Sequence, residues 1–210
     1  MKITKFVHSC LLVEMAGRTA IFDPGAMSFE AFDMDRLERL DDIFITHIHQ
    51  DHYHLPFIKA LVDKFPGARI TATEEVVASL TEENIKGQKE APDGVVFFDS
   101  PHESVEPLFP APQEIGIHYL DILSHPGDSH SFKETKAVLA LPITAPWGSA
   151  IKALNLALQL KPRYVIPIHD WHWREEAQAQ MYDGFKQVLS KEDITFFKPE
   201  TGQPIEIQAD

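Results

Sequence analysis

A short stretch between residues 46 and 52 concentrates side chains that bind metal ions. Its sequence is Thr46-His47-Ile48-His49-Gln50-Asp51-His52, and it follows the apolar run Ile43-Phe44-Ile45. Histidine is the commonest metal ligand in proteins, and aspartate adds a hard oxygen donor. The alternative is a solvated loop in which Asp51 caps a helix. Three imidazoles and one carboxylate within six residues favour a metal site.

The spacing inside this segment divides its ligands into two pairs. His47 and His49 are two positions apart, so an extended or turning chain can aim both imidazoles to one side and onto one ion. Asp51 and His52 follow at once and cannot easily share that ion. The segment therefore indicates two neighbouring metal ions.

Further residues of metal-binding type also follow strand-like runs. They are His102 after residues 95–99, Asp128 after residues 115–123 and His169 after residues 164–168. In open α/β folds, functional residues gather in the loops at strand ends, so scattered residues of this kind can converge. Each alone has an ordinary explanation as a loop or turn residue. Together with the first cluster, they favour one functional site.

The elements that must position these residues alternate between strand-like and helix-like patterns. Strands are predicted at residues 3–7, 11–15, 19–22, 43–46, 69–72, 95–99, 115–123, 137–141, 163–168 and 194–197. Helices are predicted at residues 35–40, 55–65, 74–80, 149–160 and 175–189, the third with Thr73 as its N-cap. This order fits a layered α/β sandwich. Because no repeat or composition shift interrupts it, we predict a single domain over residues 1–210.

Composition limits the class of protein. The chain has 210 residues, 44% of them hydrophobic, which is ample for a core. Its formal net charge of -13 argues against nucleic-acid binding and favours a small-molecule substrate. No run approaches the roughly 20 apolar residues of a membrane span. Glu14 and Arg18 interrupt the best N-terminal apolar stretch, and the lone Cys10 cannot form an intramolecular disulfide, so we predict a cytoplasmic location without a membrane partner.

The same residues carry a resemblance to a known family. The pattern His47-x-His49-x-Asp51-His52, with the later His102, Asp128 and His169, resembles the metallo-β-lactamase superfamily. Within it, the chain is most similar to the branch of ascorbate-6-phosphate lactonase-like metal-dependent hydrolases. The segments that resemble this branch are Phe6-Val7-His8-Ser9-Cys10, Ile21-Phe22-Asp23-Pro24, His125-x-Gly127-Asp128 and Pro162 through Pro167-x-His169. The resemblance covers nearly the whole chain and implies a four-layer αββα sandwich with its site along one edge of the two sheets.

The resemblance also implies a role for each ligand. The first ion would be bound by His47, His49 and His102, the second by Asp51, His52 and His169, and Asp128 would bridge the two. A water that bridges two divalent ions loses a proton near neutral pH, which implies a dinuclear hydrolase acting through a metal-bridging hydroxide. Asp51 and Asp128 are the predicted catalytic residues. The implied substrate is a small molecule with a lactone, ester or phosphoester bond, and the lactonase-like resemblance favours anionic substrates among these.

The metal and the activity leave alternatives open. Imidazole and carboxylate ligands suit two zinc ions, but the same donors accept manganese or iron. Diiron oxygen-reducing relatives usually carry a carboxylate at the position of His49, which argues against a redox role. The alternative function is a non-catalytic metal- or ligand-binding protein on the same fold. The sequence does not determine the substrate or the oligomeric state.

Several neighbouring residues have open roles. His125 is an alternative to His102 as a ligand; His102 is preferred because the family carries a non-ligating histidine at the strand end where His125 falls. The candidates for contacts behind the ligands or in the pocket are His8, Asp23, His125, His130 and His172. Asp23 is equally well explained by a Pro-Gly turn. His172, between Trp171 and Trp173, either lines the substrate pocket or belongs to an aromatic core patch.

Overall fold

The computed structural model describes residues 1–208, so the last two residues of the predicted domain 1–210 lie outside the described part. Contacts divide the chain into two compact units. Unit 1 comprises Met1–Pro92 and the C-terminal segment that begins at Pro199, and unit 2 comprises Asp93–Lys198. Each unit has its own mixed β-sheet, its own flanking helices and its own hydrophobic core.

The strands within residues 1–208 are short. In chain order they are β1 Lys2–Lys5, β2 Leu11–Met15, β3 Arg18–Phe22, β4 Asp42–Ile45, β5 Arg69–Ala72, β6 Gly87–Gln88, β7 Val95–Phe98, β8 Gly116–Tyr119, β9 Leu123–His125, β10 Val138–Pro142, β11 Tyr164–Ile168, β12 Thr195–Phe196 and β13 Pro204–Glu206. The α-helices of the same residues are α1 Ala26–Phe29, α2 Leu55–Lys64, α3 Glu74–Glu82, α4 Ala150–Leu160 and α5 Glu175–Leu189.

The sheet of unit 1 changes from antiparallel to parallel along its width. Its order is β13-β1-β2-β3-β4-β5-β6, in which the pairs from β13 to β3 are antiparallel and those from β3 to β6 are parallel. Helix α2 buries Ile58 and Leu61, whose helical spacing predicts a shared face, and it also buries Phe57 in the core of this unit. The hydroxyl of Thr73 accepts a hydrogen bond from the Val76 amide and so caps α3, as predicted.

The sheet of unit 2 has the order β12-β11-β10-β9-β8-β7. Strands β9 to β12 pair in parallel, whereas β7, β8 and β9 pair antiparallel. Two strand reversals give β7 and β9 the same direction, so the carboxyl ends of β7, β9, β10 and β11 lie at one edge of this sheet. Helices α4 and α5 contact each other and pack residues such as Ala157, Phe185 and Leu189 into the core of unit 2.

The structure corrects two of the predicted elements. The predicted strand at residues 115–123 is the hairpin β8–β9, because Leu120 and Asp121 adopt left-handed backbone conformations with φ of 49° and 56°. The predicted helix at residues 35–40 is only a 3₁₀ turn over Met34–Arg36. Within residues 1–208, no helix has both the length and the apolar character needed to cross a bilayer.

Candidate metal centre

The histidine-rich segment leaves the sheet of unit 1 at the carboxyl end of a buried strand. All four residues of β4 are buried, and β4 runs parallel to β3, with Phe22 paired to Phe44. Asp23 and Thr46 therefore follow neighbouring parallel strands and lie at the same edge of the sheet. This edge is the usual place for functional residues in α/β folds.

Asp23 joins that edge to the imidazole of His52. Asp23 Oδ2 lies 2.7 Å from His52 Nδ1, and neither side chain is exposed. The other oxygen, Oδ1, accepts a hydrogen bond of 2.8 Å from the Thr46 amide. Because Nδ1 of His52 donates to a carboxylate, its Nε2 is the nitrogen that carries a lone pair for an ion. Asp23, the first residue after β3, therefore orients a candidate ligand.

The remaining donors of unit 1 lie close to His52. The Nε2 atom of His8 is 2.9 Å from Asp51 Oδ2, and the ligand atoms of His8, Asp51 and His52 all lie within 4.8 Å of one another. His47 has a ring nitrogen within 4.8 Å of those of His49 and His52. His8 and His47 are buried. Imidazole nitrogens and a carboxylate oxygen at these distances are a donor set that suits a divalent cation.

The candidates of unit 2 also follow strands that end at one edge. His169 comes directly after β11, Asp128 lies three residues after the end of β9, and His102 lies four after β7. Asp128 Oδ2 is 3.0 Å from His169 Nε2 and 3.8 Å from His102 Nε2. All three side chains are buried. The structure thus brings these three residues of unit 2 together, although they lie far apart in the sequence.

Backbone carbonyls fix the orientation of both histidines of unit 2. His169 Nδ1 donates to the Thr144 carbonyl across 2.9 Å, and His102 Nδ1 donates to the Glu103 carbonyl across 2.6 Å. Each Nε2 therefore faces the Asp128 carboxylate with a lone pair, unless the imidazole is doubly protonated. The lone pair of Nε2 and those of the carboxylate oxygen repel each other at such distances. A positive charge between the two atoms removes this repulsion, and a metal ion or a proton supplies it. The arrangement fits a metal centre.

Left-handed backbone conformations recur at three of these positions. His8, Asp23 and His169 have φ of 64°, 46° and 61°, which non-glycine residues adopt infrequently. Such conformations are costly and persist where the surrounding contacts enforce them, often at functional sites. Asp23 and His169 each come directly after a strand, and His8 lies three residues after the end of β1, so these turns occur where the chain leaves a sheet.

Trp147 and Glu103 lie at the candidate centre of unit 2, and the sequence analysis did not identify them. Trp147 Nε1 lies 3.3 Å from Asp128 Oδ2. Glu103 accepts hydrogen bonds from the His130 amide and the Ser131 hydroxyl, and it forms an ion pair with Lys152. Two sequence features point to these residues. Glu103 directly follows the candidate ligand His102, and Trp147 lies between Pro146 and Gly148, two turn-forming residues shortly after β10.

The other histidine candidates differ in their surroundings. His125 is buried at the end of β9, where its Nδ1 accepts a hydrogen bond from the Gly127 amide. His130 Nε2 donates to the Pro142 carbonyl across 2.6 Å, and burial lowers the pKa of this histidine despite that bond. His172 and Trp171 are exposed, whereas Trp173 packs against the core of unit 2. An aromatic core patch therefore describes Trp173 and not its two neighbours.

Cys10 is unsuited to nucleophilic chemistry. Its side chain is buried, and burial raises the pKa of the thiol far above its usual range, although a hydrogen bond with Ser28 opposes this shift. A thiol of this kind stays protonated at neutral pH, and the thiolate is the reactive form.

Comparison with known proteins identifies the family. The family model described as a beta-lactamase superfamily domain matches residues 2–169. The chain belongs to the metallo-β-lactamase superfamily. Among curated relatives, protein Rv0786c of Mycobacterium tuberculosis is 31% identical over 201 residues, which cover 90% of this chain and 93% of that protein. A UPF0173 protein of Pyrococcus abyssi is 28% identical over 208 residues, which cover 92% of this chain and 93% of that protein.

Solved structures show the same metallo-β-lactamase fold. Igni18, a metallo hydrolase from Ignicoccus hospitalis, has a TM-score of 0.71 and 22% identity, with 99% of both chains covered. An isothiocyanate hydrolase from Delia radicum gut bacteria has a TM-score of 0.68 and 18% identity, with 100% of both chains covered. The predicted α/β fold class is confirmed, with two mixed sheets and flanking helices.

Proposed function

We propose that this member of the metallo-β-lactamase superfamily is a metal-dependent hydrolase of small molecules. The observation that carries the proposal is the fixed orientation of three buried imidazoles. In His52, His102 and His169, Nδ1 donates a hydrogen bond to an oxygen atom. The other ring nitrogen, Nε2, is therefore the atom that can coordinate a metal. Family membership supports the same conclusion, because the family includes metal-dependent hydrolases.

The proposed ligand set comprises the residues that carry the family's motif. They are His47, His49, Asp51, His52, His102, Asp128 and His169. We propose two divalent ions, with zinc as the first candidate and manganese or iron as alternatives that the same donors accept. Asp51 and Asp128 are the proposed catalytic residues, and Asp128 is the proposed bridge. His102 is preferred over His125 because its Nε2 lies near Asp128 Oδ2.

The protein's own residues hold these ligands in place. Asp23 fixes the ring of His52, and His8 forms a hydrogen bond with the Asp51 carboxylate. The carbonyls of Thr144 and Glu103 fix the rings of His169 and His102. When bound, divalent ions lower the pKa of a coordinated water and polarise a carbonyl or phosphoryl oxygen. No side-chain nucleophile is required, which agrees with the buried, protonated state of Cys10.

The proposed substrate class is a small lactone, ester or phosphoester, anionic in character. The support is the resemblance of Phe6-Val7-His8-Ser9-Cys10 and of His125-x-Gly127-Asp128 to the ascorbate-6-phosphate lactonase-like branch. The net charge of -13 supports a small-molecule substrate over a nucleic acid. We further propose a cytoplasmic location without a membrane partner, which the single cysteine supports.

The experiment that tests this function is a hydrolysis panel with metal-loaded protein. The panel contains lactones, carboxylic esters, phosphodiesters and an isothiocyanate, the last because a protein of the same fold hydrolyses isothiocyanates. We expect turnover of at least one class, abolished by chelator and restored by zinc, manganese or iron. The matched control is His52→Asn, which removes one proposed ligand. Metal binding without turnover of any class would instead support the non-catalytic metal-binding alternative.

A further inference from the structure

Trp147 is presented by a tight turn between β10 and α4. The amides of Ala145 and Gly148 donate to each other's carbonyls, across 3.3 Å from Ala145 and 3.1 Å from Gly148. Pro146 and Trp147 form the tip of the turn, where proline restricts the backbone. The turn follows the carboxyl end of β10, at the edge of the sheet where Asp128 also lies. Trp147 therefore has a defined position and does not occupy a flexible loop.

The ring of His130 packs against Trp147 and Gly148 in this turn. A Cβ atom added at Gly148 would lie 2.9 Å from Cε1 of His130, so only glycine allows this close approach. The ring centroids of His130 and Trp147 are 5.1 Å apart in an edge-to-face arrangement. His130 is itself fixed by its hydrogen bond to the Pro142 carbonyl. The position of the indole is thus determined by buried contacts within unit 2.

The indole faces the Asp128 carboxylate. Trp147 Nε1 is 3.3 Å from Asp128 Oδ2, the same oxygen that lies 3.0 Å from His169 Nε2. The indole ring centroid is 5.4 Å from that of His169 and 6.4 Å from that of His102. An indole N–H donates a hydrogen bond and accepts none, so it cannot bind a metal in place of the carboxylate. Its contact with Oδ2 restricts rotation of the carboxylate.

The main chain of Asp128 is held independently of its carboxylate. Its carbonyl accepts a hydrogen bond from the Glu103 amide across 3.0 Å, and its amide donates to Glu114 Oε2 across 2.9 Å. These bonds fix the backbone position of Asp128 but not the rotation of its carboxylate group. Removing the indole N–H therefore changes the orientation of the carboxylate and leaves the backbone of this loop in place.

We propose that Trp147 is a positioning residue, whose Nε1–H holds the Asp128 carboxylate in the orientation that binds metal. This inference rests on the proposed function, because it takes Asp128 to be a metal ligand. Hydrogen-bond partners of metal ligands typically contribute 10- to 100-fold to metal affinity. In this proposal Trp147 acts through Asp128.

The test compares variants that separate the N–H from the aromatic ring. Trp147→benzothienylalanine keeps the bicyclic shape but replaces N–H by sulfur, Trp147→Phe keeps a smaller ring without a donor, and Trp147→Ala removes both. Metal-free protein is titrated with Zn²⁺ in competition with a chromophoric chelator. We expect about 10- to 100-fold weaker affinity in the benzothienylalanine variant. Bound Co²⁺ should show an altered visible absorption spectrum in the same variant, because a ligand has changed its orientation.

The matched control is Phe109→Ala, which removes an exposed aromatic side chain of the same unit and should leave affinity unchanged. Thermal unfolding of metal-free protein should be the same for wild type and the benzothienylalanine variant, which separates positioning from stability. Affinity that falls only in Trp147→Ala would overturn the N–H assignment. Wild-type hydrolysis with unchanged affinity in all three variants would overturn this inference alone. A wild-type protein that neither binds metal nor hydrolyses the panel would overturn the proposed function together with it.

Discussion

Asp23 accepts a hydrogen bond from Nδ1 of His52 across 2.7 Å, and both side chains are fully buried although 29 positions separate them in the sequence. A buried carboxylate needs such partners, since leaving it without them is costly. The pair determines which nitrogen of His52 is protonated and holds the ring in one orientation. Through this contact, the residue that follows β3 fixes the orientation and the protonated nitrogen of a candidate metal ligand.

Asp23→Asn should weaken metal binding. The amide group can donate to Nδ1 of His52, which would move the imidazole proton to Nε2 and block the donor atom. We expect metal affinity to fall about 10- to 100-fold, measured by chelator competition. Asp33→Asn is the control, because Asp33 is an exposed carboxylate of the same unit. An affinity equal to that of wild type would contradict the proposed orientation of His52.

Gly25→Ala should displace the loop that carries Asp51. A Cβ atom at Gly25 would lie 1.7 Å from the Asp51 carbonyl oxygen and 2.2 Å from its carbonyl carbon, so the backbone itself must move. Overpacking of this kind lowers the free energy of unfolding by about 1–3 kcal/mol. We expect both this loss, measured by urea denaturation, and weaker metal binding. Gly67→Ala is the control, because nothing lies within 4 Å of its added Cβ; equal effects of the two substitutions would refute the argument.

Glu103→Gln should destabilise unit 2 in a pH-dependent manner. Burial raises the pKa of Glu103, but hydrogen bonds from Lys152, Ser131 and the His130 amide outweigh it and lower the pKa below 4.5. A carboxyl group with a lowered pKa stabilises the fold above its unfolded pKa, and this stabilisation is lost as the pH falls through the folded value. At neutral pH we expect the variant to lose about 1–3 kcal/mol of unfolding free energy.

Denaturation curves at several pH values measure this difference for Glu103→Gln. The gap between wild type and variant should be widest above about pH 5 and narrow as the solution becomes more acidic. Lys152→Ala is the comparison, because Lys152 is a half-exposed partner whose loss should cost under about 1 kcal/mol. A gap that does not change with pH would show that the carboxylate charge is not involved.

His118→Phe should make the stability of the protein less sensitive to mild acid. Burial lowers the pKa of His118 below 6.5, helped by Lys136 and opposed by Glu134. A histidine with a lowered folded pKa stabilises the fold above pH 6.5, and that stabilisation is lost as the pH falls toward the folded value. Phenylalanine keeps a ring for the stack against Phe98, whose centroid lies 4.2 Å away. We expect wild type to lose more unfolding free energy than the variant between about pH 7 and pH 5; parallel curves would contradict this account.

The sequence predicts well where a local pattern carries the information. Strands β2 and β5 and helix α5 have the predicted bounds, because short apolar runs and turn residues delimit them. The metal-binding character of residues 47–52 is likewise visible from residue type and spacing alone. The β8–β9 hairpin is not predicted, because its turn at Leu120 and Asp121 lacks glycine and apolar residues lie on both sides of Asp121.

Contacts between distant residues were only partly predictable. Asp23 and His8 are candidates because metal-bound imidazoles usually donate their other N–H to a partner, but the particular contacts of the two residues depend on strand pairing. Trp147 carries no metal-binding side chain, and its relation to Asp128 arises from the turn beyond β10. The contacts of Glu103 require two loops and helix α4 to meet, which no local pattern encodes.

The most direct test of the central claim is elemental analysis of protein purified without chelator, with wild type and Asp128→Ala measured side by side. Asp128 is the proposed bridge, so its removal should cost at least one metal ion as well as all hydrolysis. The account predicts two equivalents of divalent metal per wild-type chain and at most one in Asp128→Ala. Wild-type protein that takes up no divalent metal, or an Asp128→Ala variant that retains both ions, would contradict it.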